Sequence, residues 1–254
     1  MSARAELLED AGAAAAADEF FRSQPFMAAE GVTHSLRISA DVDLVAPLIV
    51  REIPGGEGLD ASSPYGFPGL GYPGVPDRAT RPLEPASVDW SPTGLVSAFI
   101  RHRVGSRPPL AGTTVRNRVF LADPELPRKS RPSDRQQIRR NLRSGYEVRA
   151  VGGPDVSDAD LAGFHLAYTQ TMRRASAAER YFYDAAYFRG VLAFADSWLL
   201  LAVEPGGTVA AGSLLACAIT ATSTHVASWV PTTLGVMGAV LTLGLVADLL
   251  RRGT

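Results

Sequence analysis

The sequence predicts an α/β protein built from helices and mixed sheets, on three observations. Apolar residues make up 46% of the 254 positions and charged residues 20%, the composition of a folded globular chain. Runs rich in Val and Ile alternate with stretches in which apolar residues recur every three or four positions. Two apolar runs face each other across Pro205, Gly206 and Gly207 in "SWLLLAVEPGGTVAAGSLLACAIT", the signature of a β-hairpin. The length suits one large domain or two of ordinary size.

Taken in order, "ADEFFRSQPFMAAEG" places Phe20, Phe21, Met27 and Ala28 at near-helical spacing, with Pro25 splitting the segment and Gly31 ending it. "VAPLIVREI" (45–53) is a strand by its Val and Ile content. Residues 54–92 are rich in Pro and Gly and read as a long irregular connection. Residues 94–104 and 113–121 are strand candidates, and "ADPELPRKSRP" (122–132) is a linker with three prolines. "SDRQQIRRNLRSG" reads as a helix capped by Ser133 with Gln136 three residues on, stopped at Gly145, with Ile138 and Leu142 as its buried stripe. "YEVRAV" follows as a short strand. Ser157 and Asp160 then open a longer helix whose face is Leu161, Phe164, Tyr168 and Met172. "YDAAYFRGVLAFA" is a further helix, the hairpin comes next, then a strand in "STHVASWV" and a closing apolar helix.

Charge and cysteine content narrow the classes. A formal net charge of −1 gives no global attraction to nucleic acid or to an anionic membrane. Cys217 is the sole cysteine, which excludes a disulfide within the chain and a Cys-rich metal site; in "SLLACAIT" it reads as a small buried hydrophobe of a reducing compartment. Glu6, Glu9, Asp10, Asp18 and Glu19 interrupt the Ala-rich start, so no export signal is read there and the expected location is cytoplasmic. Residues 226–247 are uncharged and long enough to cross a bilayer, but the interior Pro231 and the threonines weigh against a membrane span. The four histidines, His34, His102, His165 and His225, form no i, i+4 pair and none lies beside the cysteine, so no metal site is expected. Neither a G-x-S-x-G elbow nor a Walker-type phosphate loop occurs.

Four stretches in sequence carry a resemblance: "SPYGFPG", "SDRQQIRRNLRSGYEV", "YTQTMRRASAAERYFYDAAYF" and "SWLLLAVEPGGTVAAGSLL". Together with the order of helices and strands after residue 130, they resemble the Gcn5-related acetyltransferase (GNAT) superfamily, in its FemAB/FemX-like and BioF2-like branch. The resemblance spans about residues 18–228. It implies tandem GNAT-like halves, here 1–127 and 128–254, the second incomplete because the pattern after Thr224 lacks the family's further strands. It implies an N-acyltransferase that moves an acyl or aminoacyl group to an amine acceptor, with acyl-CoA or aminoacyl-tRNA as donor. In the family, loops like "SPYGFPG" border the substrate cleft, so Ser63, Tyr65 and Gly66 are expected at an acceptor site between the halves. A phosphate-binding turn would fall at Leu234–Val240.

The residues also speak for themselves. Gly66 and Gly69 permit positive φ, while Pro64 and Pro68 stiffen the loop; this suits a pocket wall and equally suits a structural turn. Between Arg128 and Arg149 eight Lys or Arg stand against two acids, Asp134 and Glu147. On a helix Arg135, Arg139 and Arg143 fall in one row, with Lys129 just before it; such a row suits the phosphates of a small ligand or of tRNA, and equally a solvated face. Acyl transfer to an amine needs a proton shuttle and a polarised carbonyl. Tyr65 and Tyr168 are the candidate proton carriers, although Tyr168 also suits core packing. Arg173 and Tyr181 are candidate substrate contacts. Leu214, Leu215 and Cys217, on the strand "GSLLACAIT", would meet the donor through strand-like backbone pairing. A binding module without catalysis and a membrane-anchored interaction protein are the competing readings.

Overall fold

A computed structural model describes residues 3–41, 43–71, 82–103, 107–114 and 131–216. The expected strand 113–121 falls largely outside these residues. The expected linker, the boundary at 127, Lys129, Cys217, the strand of "STHVASWV", the turn Leu234–Val240 and the apolar stretch 226–247 also lie outside them, the linker but for its last two residues. The protein is mixed α/β. Its described residues fall into two compact units, residues 3–114 and residues 131–216.

The first unit is a mixed sheet. Its strands are β1 (Ala3–Leu8), β2 (His34–Ser39), β3 (Leu44–Glu52), β4 (Leu59–Ser62), β5 (Val88–Asp89) and β6 (Leu95–Phe99), arranged β5-β1-β2-β3-β4-β6. β1, β2, β3 and β4 run antiparallel to their neighbours, while β5 and β6 join in parallel at the two ends. β3 changes partner along its length: Leu44–Leu48 pair with β2 and Ile49–Glu52 with β4. Pro47 sits in that central strand without breaking it. Val45 exchanges backbone bonds with Gly71 and pairing with β4 begins at Ile49, so the missing N–H points to a gap between those partners. The core beneath is small and aliphatic: Ala3, Ala5, Leu36, Ile38, Leu44, Ala46, Leu48 and Ala61.

β1, β4 and β5 correct the reading of these stretches as Ala-rich or irregular, and β2 lies in a stretch for which no element was expected. The expected strand from 94 is confined to β6. Before β2, the split helix consists of a 3-10 turn at Phe20–Arg22 and the helix α1 (Gln24–Ala29). Ser23 separates them and caps α1, its hydroxyl accepting from the Phe26 N–H, and Pro25 lies in the first turn, where its missing N–H costs nothing.

The second unit contains α2 (Pro132–Arg143), β7 (Glu147–Gly152), α3 (Asp158–Arg174), α4 (Ala185–Leu192), β8 (Ser197–Val203) and β9 (Val209–Ala216). β7, β8 and β9 form an antiparallel sheet in that order. α3 packs on β9 and α4 on β8, burying Leu161, Phe164, Phe188, Leu192, Leu199 and Leu201. Ser157 caps α3 through the Asp160 N–H at 3.1 Å. α2 departs from expectation in two ways. Pro132 occupies its first turn, so Arg131 takes the cap position with no side-chain cap, and Ser133 donates to Asp134 instead. None of its residues enters a buried cluster, and Leu142, expected in a buried stripe, is 55% exposed.

The two units share a plan. In each, a strand, a helical stretch and two further strands follow one another, and the three strands lie side by side, antiparallel, in chain order: β1-β2-β3 and β7-β8-β9.

Candidate functional site

The loop Ser63–Gly71 grips its own chain. Ser63 is buried: its N–H donates to the Phe99 carbonyl at 2.8 Å and its hydroxyl accepts from the Arg101 N–H at 3.1 Å. The Arg101 guanidinium donates to the carbonyls of Ser63 (2.9 Å) and Pro64 (3.1 Å) and lies over the Phe99 ring. Gly66 has φ +90° and lies against Phe21, whose ring carbon would be 2.2 Å from an added Cβ. Gly69, at φ +72°, leaves room in the same way for Arg103, whose Cγ would be 2.6 Å from an added Cβ. Arg103 in turn donates to both oxygens of Glu19 at 2.8 and 2.6 Å. Phe20, Phe21, Phe26 and Phe67 complete the contact as edge-on and tilted ring pairs. Tyr65 is the residue that this lock leaves outside. Its N–H donates to Glu30 at 2.8 Å, while the residue is 60% exposed. A rigid loop thus presents one phenol to solvent.

Beneath the loop lies a residue that the sequence did not single out. Arg22 is fully buried. Its Nε–H donates to the Ala14 carbonyl at 2.7 Å, but among the described residues Nη1 and Nη2 have no hydrogen-bond partner. Burial pulls its pKa down to about 10, Glu19 acting against that shift and Arg103 with it. His102 likewise has a buried Nδ1 without a partner among the described residues, and burial holds its pKa below the ordinary value.

The second unit carries the remaining candidates. Tyr168 packs among Phe164 and Phe188, and its hydroxyl donates to the Tyr181 carbonyl. Burial raises its pKa, opposed by the Tyr183 backbone, so the phenol stays protonated and serves as a hydrogen-bond donor. Tyr181 is 38% exposed with the Arg180 guanidinium over its ring. Tyr183 and Tyr187 stack at 4.1 Å beside them. Arg173 is exposed in the last turn of α3, where its charge complements the helix dipole. Arg135 and Arg139 lie exposed on α2. Leu214 and Leu215 are half-buried on β9, Leu214 packing on the core of the unit. The structure therefore groups Ser63, Tyr65 and Gly66 on one loop and Tyr168 with Tyr181 at one aromatic cluster, while Arg135 and Arg139 lie together on α2.

Among the described residues no group of three or more His, Cys, Asp or Glu could hold a metal ion, and no helix is long and apolar enough to cross a membrane. Comparison with protein-family models, with curated proteins and with solved structures found no match to this chain.

Proposed function

We propose that the chain is an N-acyltransferase of the tandem GNAT-like, Fem-like kind, moving an acyl or aminoacyl group from acyl-CoA or aminoacyl-tRNA to an amine acceptor. The observation that carries this reading is the shared plan of the two units, a strand, a helical stretch and an antiparallel strand pair in each. It is the arrangement that tandem halves require, and residues 158–216 supply the helix, helix, strand, strand part of the order on which the resemblance rests. In this reading Tyr65 faces the acceptor from a loop that spends no conformational freedom on binding. The α2 arginines, Arg139 among them, meet phosphates of the donor or of a phosphorylated substrate. Tyr168 holds the turn at Tyr181 by its hydrogen bond and positions the aromatic cluster.

A second reading, a binding module without catalysis, draws on one observation. The hydroxyls of Ser63 and Tyr168 both have partners within the protein, which leaves Tyr65 as the only exposed phenol of the two proton-carrier candidates. Incubation of the purified chain with labelled acetyl-CoA or aminoacyl-tRNA and a panel of amines separates the readings. Donor consumption that depends on acceptor and falls in Tyr65→Phe is expected. Folded protein that consumes neither donor removes the transferase reading and leaves the binding module.

A further inference from the structure

We infer that Arg22 anchors an oxyanion site inside the first unit, where it and Arg103 take the carboxylate or phosphoryl group of a small ligand. The inference is independent of acyl transfer. It starts from a guanidinium that is completely buried yet has two amino groups without a partner among the described residues. Buried charges are ordinarily paired and buried donors bonded, because an isolated cation removed from water is expensive. The neighbouring carboxylate does not fill the need: both oxygens of Glu19 bond Arg103 and neither accepts from an Nη of Arg22. Two guanidinium groups and one carboxylate leave one positive charge, from Arg22 +1, Arg103 +1 and Glu19 −1. A water molecule would satisfy the amino groups but not that charge. A planar fork with free Nη groups matches the paired oxygens of a carboxylate or phosphate.

The surroundings hold both cations in place. The Nε–H of Arg22 is fixed on the Ala14 carbonyl, and its own carbonyl accepts from Ala16 N–H at 2.9 Å. Arg103 lies along Gly69, where an added Cβ would be 2.6 Å from its Cγ, and its guanidinium packs within ordinary contact distance of Gly71. The segment 15–19 carries three alanines before Asp18 and Glu19, and Ala17 and Asp18 are exposed. Lifting it uncovers little apolar surface but opens the Ala16–Arg22 backbone bond and the Glu19–Arg103 ion pair, which the bound anion must replace. Arg22 stays cationic at neutral pH despite its burial.

The test uses the full ¹⁵N-labelled chain, titrated with inorganic phosphate and separately with acetate, at ionic strength held constant with chloride. The Arg22 Nε–H resonance, assigned by its loss in Arg22→Lys, reports binding. The expected result is a saturable shift with at least one anion, with the affinity for that anion falling by about tenfold or more in Arg22→Lys. A response to phosphate alone assigns a phosphoryl ligand, and a response to acetate alone a carboxylate. Absence of a saturable shift up to about 50 mM of either anion overturns the site, as does equal affinity in the variant. If Arg22→Lys does not fold, Arg103→Lys assigns nothing to Arg22 but must still weaken the anion, and the wild-type titration alone decides whether the site exists.

Discussion

The two units follow one strand plan and are stabilised differently. The second is a sheet covered by two helices, its buried side chains almost all Leu, Val and Phe, with Ser197 its only buried polar residue among those described. The first has a core rich in alanine, and it buries Arg22, Ser23, Ser35, Ser63 and Thr93. Small side chains fill less volume and remove less apolar surface from water. The first unit makes up for this with specific locks: glycines that admit a ring or an arginine, and arginines that bind loop carbonyls. Packing density can thus be reached by bulk on a regular frame or by fitted contacts between irregular segments. The second route leaves buried polar groups that other molecules can address.

The sharpest test of that contrast is Gly66→Ala. The new Cβ would meet the Phe21 ring and force a non-glycine residue to φ +90°, so a loss of about 3 kcal/mol is expected. Urea unfolding followed at Trp90, in a chain whose other tryptophans are Phe, measures it; an unmoved midpoint would show that the loop is no lock. A smaller effect belongs to the second unit. Ser157→Ala removes the cap of α3 and should cost about 1 kcal/mol, whereas Ser133→Ala, at a position that does not cap α2, should change stability by less than about 0.5 kcal/mol. Equal losses in the two variants would erase the distinction between a capped packed helix and an uncapped exposed one. The smallest effect is pH-dependent. Burial depresses the pKa of His102 in the folded chain, so the unfolded chain binds that proton first. The stability that neutral His102 allows is therefore present above its ordinary value of 6.5 and is lost as pH falls through the folded value. Urea midpoints between pH 8 and pH 5 should drop further in the wild type than in His102→Gln; parallel curves would show that His102 does not set the pH dependence of the unit.

The same contrast decides what could be read in advance. α3, α4, β8 and β9 were legible because each has a single dominant period and a clear stop, such as Ser157 before α3 and Pro205–Gly207 between β8 and β9. β3 was legible from its Val and Ile content. β1 was not: "ARAELL" favours a helix by composition, and it is a strand because β2 and β5 supply its partners. β4 is four residues in a Pro- and Gly-rich stretch, too short for alternation to register. Tyr65 was found through its loop, but the loop's main occupants, Phe21 and Arg103, lie far away in sequence. Arg22 gave no signal because its burial depends on contacts that no local pattern records.

β1 lies between two neighbours, with Ala3 paired to Val88. β2 covers one edge early, but Val88 follows Ala3 by 85 residues (88 − 3), so the other edge stays open until that length has been made. Arg4 and Glu6 alternate with the buried Ala3 and Ala5, so the open edge belongs to a strand with one apolar and one charged face, and the charged face keeps it hydrated while it waits.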